Sequence, residues 1–344
     1  MPHSILHTNV IANMLFGAIS GSATAAAVGV GSIIEPHTKK EGYEQSFATC
    51  VNIASAPAGL LIPPSNTLIL YSVVSGQASV IALFLGGYLP GILMGLSIIL
   101  LVALTGKKFI NRRVVDNSKK KNEWMEWVKI VLDAFPSLML IVIIIFGILG
   151  GIFTATEAAG IAVLYALLLS FFYRNVSLKG YFQILKDSAI VSGVILFIIA
   201  ASNMMGWVLA YTQAPEIIAN YMLSLSDNKY IILLLINLIL LFVGTFLDMS
   251  PAVLIFTPIF LPIANQIGIH PVHFGIILTY NLCIGILTPP VGTLLFIGSS
   301  ISGISVKLIL KKIIPFYVVL FISLLFITFF PELSLALPKL AGLI

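Results

Sequence analysis

Pro63-Pro64-Ser65-Asn66-Thr67-Leu68 and Pro289-Pro290-Val291-Gly292-Thr293-Leu294 are two copies of one phrase, each set inside an apolar stretch long enough to enter a bilayer. Proline has no amide hydrogen, so two in succession leave carbonyls of the preceding turn without helical partners. Hydrocarbon cannot satisfy those carbonyls. Irregular backbone at membrane depth survives only when buried in protein or facing a polar cavity, and two matching breaks point to the binding site of a secondary transporter.

The composition agrees with a membrane setting. Of 344 residues 59% are hydrophobic and 9% charged, with a mean hydropathy of +1.09, against roughly 25% charged residues in a soluble domain. Residues 1–10 show no basic cluster with a cleavage site, so no removable signal is read. Cys50 and Cys283 lie in apolar stretches and read as small buried hydrophobes, not as a disulfide or a metal site. The net charge of +5 does not imply nucleic acid, because in a membrane protein the position of Lys and Arg decides their meaning.

Span length and apolar content predict a helical hairpin at 10–35, a broken span at 43–76, and spans at 81–105, 135–153, 157–174 and 188–212. A second hairpin follows at 229–267, then a broken span at 271–302 and a final span at 313–331. With the loop 107–121 placed in the cytoplasm, alternation puts sixteen of the eighteen Lys and Arg inside and leaves Lys229 and Lys339 outside. Segment 122–133, with Trp124, Trp127 and Lys129, reads as an amphipathic helix at the cytoplasmic interface. The two hairpins then point in opposite directions, as in an inverted repeat. Their spacing agrees, since Gly17 precedes Pro63 by 46 residues and Gly244 precedes Pro289 by 45.

The expected fold is therefore an all-α polytopic membrane protein built of inverted repeats, with two reentrant helical hairpins and two broken transmembrane helices. Residues 1–105 carry the first-repeat hairpin, broken helix and following span, and 106–134 the basic loop and interfacial helix. Residues 135–344 carry the second repeat, with scaffold helices, hairpin, broken helix and terminal span. Three spans precede the second hairpin and almost nothing the first. The repeat thus predicts about 70 to 100 further residues ahead of Met1, making Met1 a late start or a truncation.

Ser20, Gly21 and Ser22 form the expected tip of the first hairpin, within a run of small residues from Gly17 to Ala27. Such a run serves tight helix packing, and beside the break at Pro63, Ser65, Asn66 and Thr67 it also makes an oxygen-rich pocket suited to Na⁺. The second tip contains Gly244, Asp248, Met249 and Ser250, where Asp248 either caps a helix, carries a functional charge, or does both. It faces a break at Thr288, Pro289, Gly292 and Thr293. Helix starts after both breaks present free amides and positive dipole ends, which favour an anion such as a carboxylate. Asn52, Ser55, Thr279 and Asn281 either line the site or bond between helices. Glu157 after Thr154 reads as a capping box. His270 and His273 are read in an outer loop in structural or solvated roles.

Together these phrases resemble the large membrane subunit of the TRAP (tripartite ATP-independent periplasmic) transporters. The resemblance rests on residues 17–27, 36–47, 62–67, 150–159, 244–262, 271–275, 285–296 and 333–338. It implies a Na⁺-driven importer of an organic acid anion in the bacterial inner membrane, working by an elevator motion within the lipid bilayer. It also implies a small four-helix membrane subunit and a periplasmic substrate-binding protein, with Na⁺ as coupling ion and no other cofactor. Ala155 departs from the family's usual Thr-Pro-Thr-Glu phrase, and family members carry further spans before the first hairpin. A non-transporting or assembly-only form is the alternative this gap raises. No GxxxxGK[ST] phosphate loop is present. An intramembrane hydrolase built on Ser20-Gly21-Ser22 would need a base, and His37 falls at a charged hairpin edge while His270 and His273 are read in a loop.

Overall fold

The computed structural model describes residues 3–110, 123–173, 176–226 and 228–344. Among the described residues the chain is helical throughout, apart from an isolated antiparallel bridge between Tyr43 and Ile110. The helices in order are α1 (Ser4–Ser20), α2 (Ala23–Lys40), α3 (Gln45–Ser55), α4 (Asn66–Ser75), α5 (Val80–Thr105), α6 (Glu123–Leu149), α7 (Ala155–Tyr173) and α8 (Leu178–Tyr211). They continue as α9 (Ala214–Leu225), α10 (Lys229–Gly244), α11 (Met249–Gln266), α12 (Pro271–Gly285), α13 (Thr293–Ser302), α14 (Val306–Phe329) and α15 (Glu332–Leu340). Short 3₁₀ turns extend α3 over Ala56–Leu60 and α5 over Gly106–Phe109. Among the described residues, five helical stretches are long and apolar enough to cross a membrane: Val80–Phe109, Thr156–Tyr173, Leu178–Ala201, Met249–Gln266 and Val306–Phe329.

Two compact units emerge. One comprises Met1–Val115 with Ala201–Ile344, the other Asp116–Ala200. Within the first, α1–α2, the broken pair α3/α4 and α5 recur as α10–α11, α12/α13 and α14. The packing of the two sets is reciprocal. Helix α2 packs on α13 while α11 packs on α4, and α3 packs on α14 while α12 packs on α5, as a two-fold relation between the halves requires. The first half of each broken helix occupies the centre. Every residue of α3 from Ser46 to Ser55 is buried, as is every residue of α12 from Val272 to Gly285. The polar residues Thr49, Asn52 and Ser55, on one side of α3, are thus buried with the rest of the helix.

Hairpin and broken helix approach each other at backbone contact in both halves. A methyl group on Gly17, near the end of α1, would stand 2.9 Å from the Gly59 Cα, and one on Gly244, at the end of α10, would stand 3.0 Å from the Gly285 Cα. Only a missing side chain permits this approach.

Several boundaries differ from the sequence expectation. The segments anticipated at 122–133 and 135–153 are covered by one helix, α6, which stops at Leu149 before Gly150-Gly151; residue 122 and most of the basic loop lie outside the described residues. Helix α8 starts ten residues earlier than the span expected at 188. Its polar first turns carry no strong apolar signal. Helices α9 and α15 were not anticipated, being too short to register as spans. His270 is the N-cap of α12 and His273 lies in its first turn, buried, with Nδ1 2.6 Å from Ser334 Oγ. Both therefore belong to a helix start and not to a loop, because Pro271 at the first helical position starts α12 there. In the second unit α6 packs on α7, and Tyr165 donates from its hydroxyl to the Pro136 carbonyl at 2.7 Å. Glu157 closes the capping box expected of it, accepting from Thr154 N at 2.7 Å while its own N–H donates to Thr154 Oγ1 at 3.3 Å.

Gly59→Ala forces backbone apart at the first crossing, and overpacking of this kind costs about 1–3 kcal/mol. Thermal unfolding in detergent is expected to show a lowered Tm for Gly59→Ala and Gly285→Ala, and none for Gly76→Ala beyond its backbone strain, since open space surrounds that position.

Glu44, just before α3, binds Lys312 of α14 at 3.0 Å and accepts from Ser46 Oγ at 2.6 Å. Partial burial opposes its charge, but the bonds from Ser46 and Lys312 and the Lys312 charge outweigh burial and hold the carboxyl below its ordinary range. A depressed carboxyl stabilises the fold at pH values above its unfolded pKa and ceases to do so as pH falls through the folded one. Lys312→Ala is accordingly expected to lower Tm slightly near neutrality, the exposed pair being screened, and the difference from the parent is expected to vanish on titration to about pH 3.

Candidate functional site

The first tip is built by two local rules. Gly21 adopts φ 62°, closing α1 with its N–H on Gly17 O at 2.8 Å, a conformation that favours glycine. Ser22 then caps α2, its Oγ accepting from Ala25 N at 3.2 Å, and Ser20 Oγ donates to Ser22 O at 3.3 Å. This tip meets the first break. A methyl group on Gly21 would lie 2.5 Å from Asn66 Nδ2, so the hairpin turn rests directly on the asparagine that opens α4.

In the break itself both Pro–Pro peptide bonds of the chain are cis, Pro63-Pro64 here and Pro289-Pro290 in the second copy. Pro63, Ser65 and Thr67 are buried and Asn66 is exposed. Ser65 Oγ donates to the Leu60 carbonyl and accepts from Leu68 N at 3.3 Å. One hydroxyl thus satisfies a carbonyl freed by the break and an orphan amide of the next helix.

The second break solves the same problem without a hydroxyl. Leu294 N donates directly to Ile286 O at 3.2 Å. Gly292, where Asn66 stands in the first copy, has φ 48°, which lets α13 start close enough for that bond. Tip and break are joined here too, because Val291 N donates to Thr245 O at 3.2 Å. Asp248 caps α11, its Oδ1 accepting from Met249 N at 2.9 Å. It is exposed, whereas Met249 is buried and Ser250 half-buried. Thr288 Oγ1 donates to Ile284 O at 2.8 Å, and Pro289 is exposed. Thr293 Oγ1 is buried with no hydrogen-bond partner among the described residues, an acceptor left open at the mouth of α13.

Neither break places a titrating side chain beside a nucleophile. What both offer is hydroxyl and carbonyl oxygen for a small cation and the amide ends of α4 and α13 for an anion.

The family described as Tripartite ATP-independent periplasmic transporter, DctM component, matches residues 1–333. The chain belongs to this family. As a DctM-component permease it is a multi-pass transport protein of the membrane and not an enzyme. It is 51% identical over 340 residues to the uncharacterized protein YgiK of Salmonella typhimurium, covering 99% of this chain and 77% of that one. It is 39% identical to the sialic acid TRAP transporter large permease SiaM of Vibrio cholerae, over 98% of this chain and 78% of that one. The C4-dicarboxylate large permease DctM of Pseudomonas aeruginosa is 37% identical over 97% of this chain and 77% of its own length.

In the permease, Asn52, read either as lining the site or as bonding between helices, makes its hydrogen bonds between helices. Asn52 touches neither tip nor break in its hydrogen bonding; its Nδ2 donates to Ala27 O at 2.8 Å and its Oδ1 accepts from Asn13 at 3.0 Å. Asn13 was not singled out from sequence. Its Nδ2 carries two hydrogens yet lies 2.8–3.0 Å from four oxygens, those of Asn9 Oδ1, Asn52 O, Asn52 Oδ1 and Ser55 Oγ. The second half repeats the device with the offsets exchanged: Asn281 Nδ2 donates to Asn237 Oδ1 at 2.8 Å, and Asn237 Nδ2 to Thr328 Oγ1 at 2.9 Å. Asn13 stands four residues before its crossing glycine and Asn52 seven, whereas Asn237 stands seven before and Asn281 four. Polar residues one or two turns ahead of Gly17, Gly59, Gly244 and Gly285 were the available signal. Asn52 and Asn281 take the interhelical use, clamping each hairpin to its broken helix.

A double-mutant cycle on Asn237 and Asn281 tests the clamp. Each alanine variant is expected to destabilise, and the pair to be less than additive by about 1 kcal/mol in thermal or denaturant unfolding.

Proposed function

We propose that this permease is the large subunit of a Na⁺-coupled importer of a small organic acid anion. The class comprises dicarboxylates, sialic acid and sugar acids, handed over by a periplasmic binding protein. The observation that supports the reading is that each hairpin tip rests on its own break, Gly21 on Asn66 and Thr245 on Val291. Binding at either place is thereby tied to the position of a hairpin relative to a broken helix.

In this reading the hairpins are reentrant and the halves related by an axis in the plane of the bacterial inner membrane. Na⁺ is held by oxygens at Ser20 to Ser22 with Ser65 to Thr67, and by the second tip with Thr288 and Thr293. The unpartnered Thr293 Oγ1 fits such a role, and no distance to the ion is implied. The anion's carboxylate lies against the N-terminal amides of α4 and α13, with the Asn66 side chain as an additional donor. The hairpins and broken helices move as one body against scaffold helices and the small membrane subunit, an elevator driven by the Na⁺ gradient. Relatives with named substrates include transporters of sialic acid, C4-dicarboxylates and isethionate, all small organic anions.

The test is uptake of labelled organic acids into proteoliposomes containing the permease, its small subunit and its binding protein. An inward Na⁺ gradient is expected to be required. Ser65→Ala, Asn66→Ala and Thr293→Val are expected to raise the Na⁺ concentration for half-maximal uptake about tenfold, equivalent to 1.4 kcal/mol. Uptake by all three variants with the parent's Na⁺ dependence would remove the tips and breaks as ion sites.

A further inference from the structure

Three helix ends meet where α5 runs out. The turn Gly106–Phe109 that extends α5 lies across the start of α3: Glu44 N donates to Phe109 O at 2.8 Å, Tyr43 and Ile110 form the antiparallel bridge, and the Phe109 ring stacks on Phe47 with centroids 4.2 Å apart. The start of α14 closes the junction. Lys312 Nζ lies 4.7 Å from the centre of the Phe109 ring and 3.0 Å from Glu44 Oε2, and α14 packs on α5.

Charge at this junction is unbalanced. Lys107 and Lys108 directly precede Phe109, while Lys307 and Lys311 stand in the first two turns of α14, and all four are exposed. Among the described residues the salt bridges are Glu44 with Lys312 and Glu332 with Lys339. Glu44, the carboxylate built into the junction, is therefore already matched, and the four ammonium groups are not. The acids of neighbouring α2 and its C-cap, Glu35 and Glu41, are offset in number by Lys39 and Lys40.

The unmatched lysines continue an apolar stripe. Leu96, Leu100 and Leu104 recur every four residues along α5, each more than half exposed, and Lys108 is the next step of that spacing. On α14 the exposed Leu308 sits between Lys307 and Lys311. The 26 residues of α5 span about 39 Å at 1.5 Å per residue, more than the roughly 30 Å of hydrocarbon in a bilayer. The end that carries the lysines thus reaches the headgroup layer. A soluble anion makes no use of exposed leucines, whereas a phospholipid places its phosphate where the stripe ends and its chains along the stripe.

We propose that the end of α5 and the start of α14 bind an anionic phospholipid, with Lys108 and Lys311 on its phosphate, Lys107 and Lys307 adding to the surrounding positive field, and the leucines of α5 along an acyl chain. Clustered lysines beside a membrane helix attract anionic headgroups in this way. A lipid held here braces the clasp of Phe109 and Lys312 on the entry of α3, because it joins the two helices from which those side chains come. The assignment is independent of the ion and substrate sites at the tips and breaks.

Native mass spectrometry and thermal unfolding of the full chain in detergent, titrated with phosphatidylglycerol, phosphatidylcholine or inorganic phosphate, test it. Phosphatidylglycerol is expected to bind and to raise Tm, less so as salt is added, with phosphatidylcholine weaker and phosphate alone without effect. Lys108→Gln with Lys311→Gln is expected to raise the apparent Kd for phosphatidylglycerol about tenfold and to remove the lipid-dependent rise in Tm, whereas arginine at both positions is expected to keep it. Equal affinity of the parent and the doubly substituted protein overturns the inference. So does equal protection by phosphatidylcholine, which would reduce the site to apolar contact, or by inorganic phosphate, which would make it a site for a soluble anion. Neutralising Lys119, Lys120 and Lys121 of the adjoining loop, which lies outside the described residues, is expected to leave the effect in place; its loss in that variant alone overturns the assignment to α5 and α14. Should the first double variant fail to fold, Lys107→Gln with Lys307→Gln takes its place, and an unchanged affinity there overturns the proposal equally.

Discussion

The structure turns on carbonyls that two Pro–Pro breaks deprive of helical partners. Leu60 O and Ile286 O occupy equivalent places, and each must be satisfied inside protein. One receives the Ser65 hydroxyl, the other the Leu294 amide. This requirement accounts for the burial of α3 and α12 on every face, since a helix that ends in open carbonyls at membrane depth has to be wrapped. The wrapping elements are those of the opposite half as well as its own, so neither half is complete alone.

Two kinds of close contact hold the wrapped helices in register. Glycine pairs bring hairpin and broken helix to backbone distance, and asparagine pairs lock them one or two turns away. The pairs are equivalent in function but not in position. A clamp with exchanged offsets in the two halves preserves the crossing while allowing each break its own chemistry. The first break displays an exposed amide side chain at Asn66. The second has a buried glycine, Gly292, at that position and a buried, unpartnered hydroxyl at Thr293.

Burial also separates residues that looked alike in one dimension. Asn52 and Asn66 are both polar interruptions near the first break. The first is buried in a network that spans α1, α2 and α3, and the second faces outward beneath the hairpin tip.

The sequence by itself determined the helical hairpins, the paired breaks, the repeat and the family. Each of these is written locally: an apolar run has a length, Pro-Pro ends hydrogen bonding, Gly and Ser close and cap a turn, and Asp248 and Thr154 cap the helices that follow them. It also located the residues of the tips and breaks, because turns and helix caps are written in neighbouring residues there. Tertiary structure alone decided which polar side chains meet. Asn13 reaches Asn52 across 39 residues, and α13 reaches α2 across the whole first half. Such pairings depend on how two halves interlock, a property of shape and burial that no window of neighbouring residues encodes.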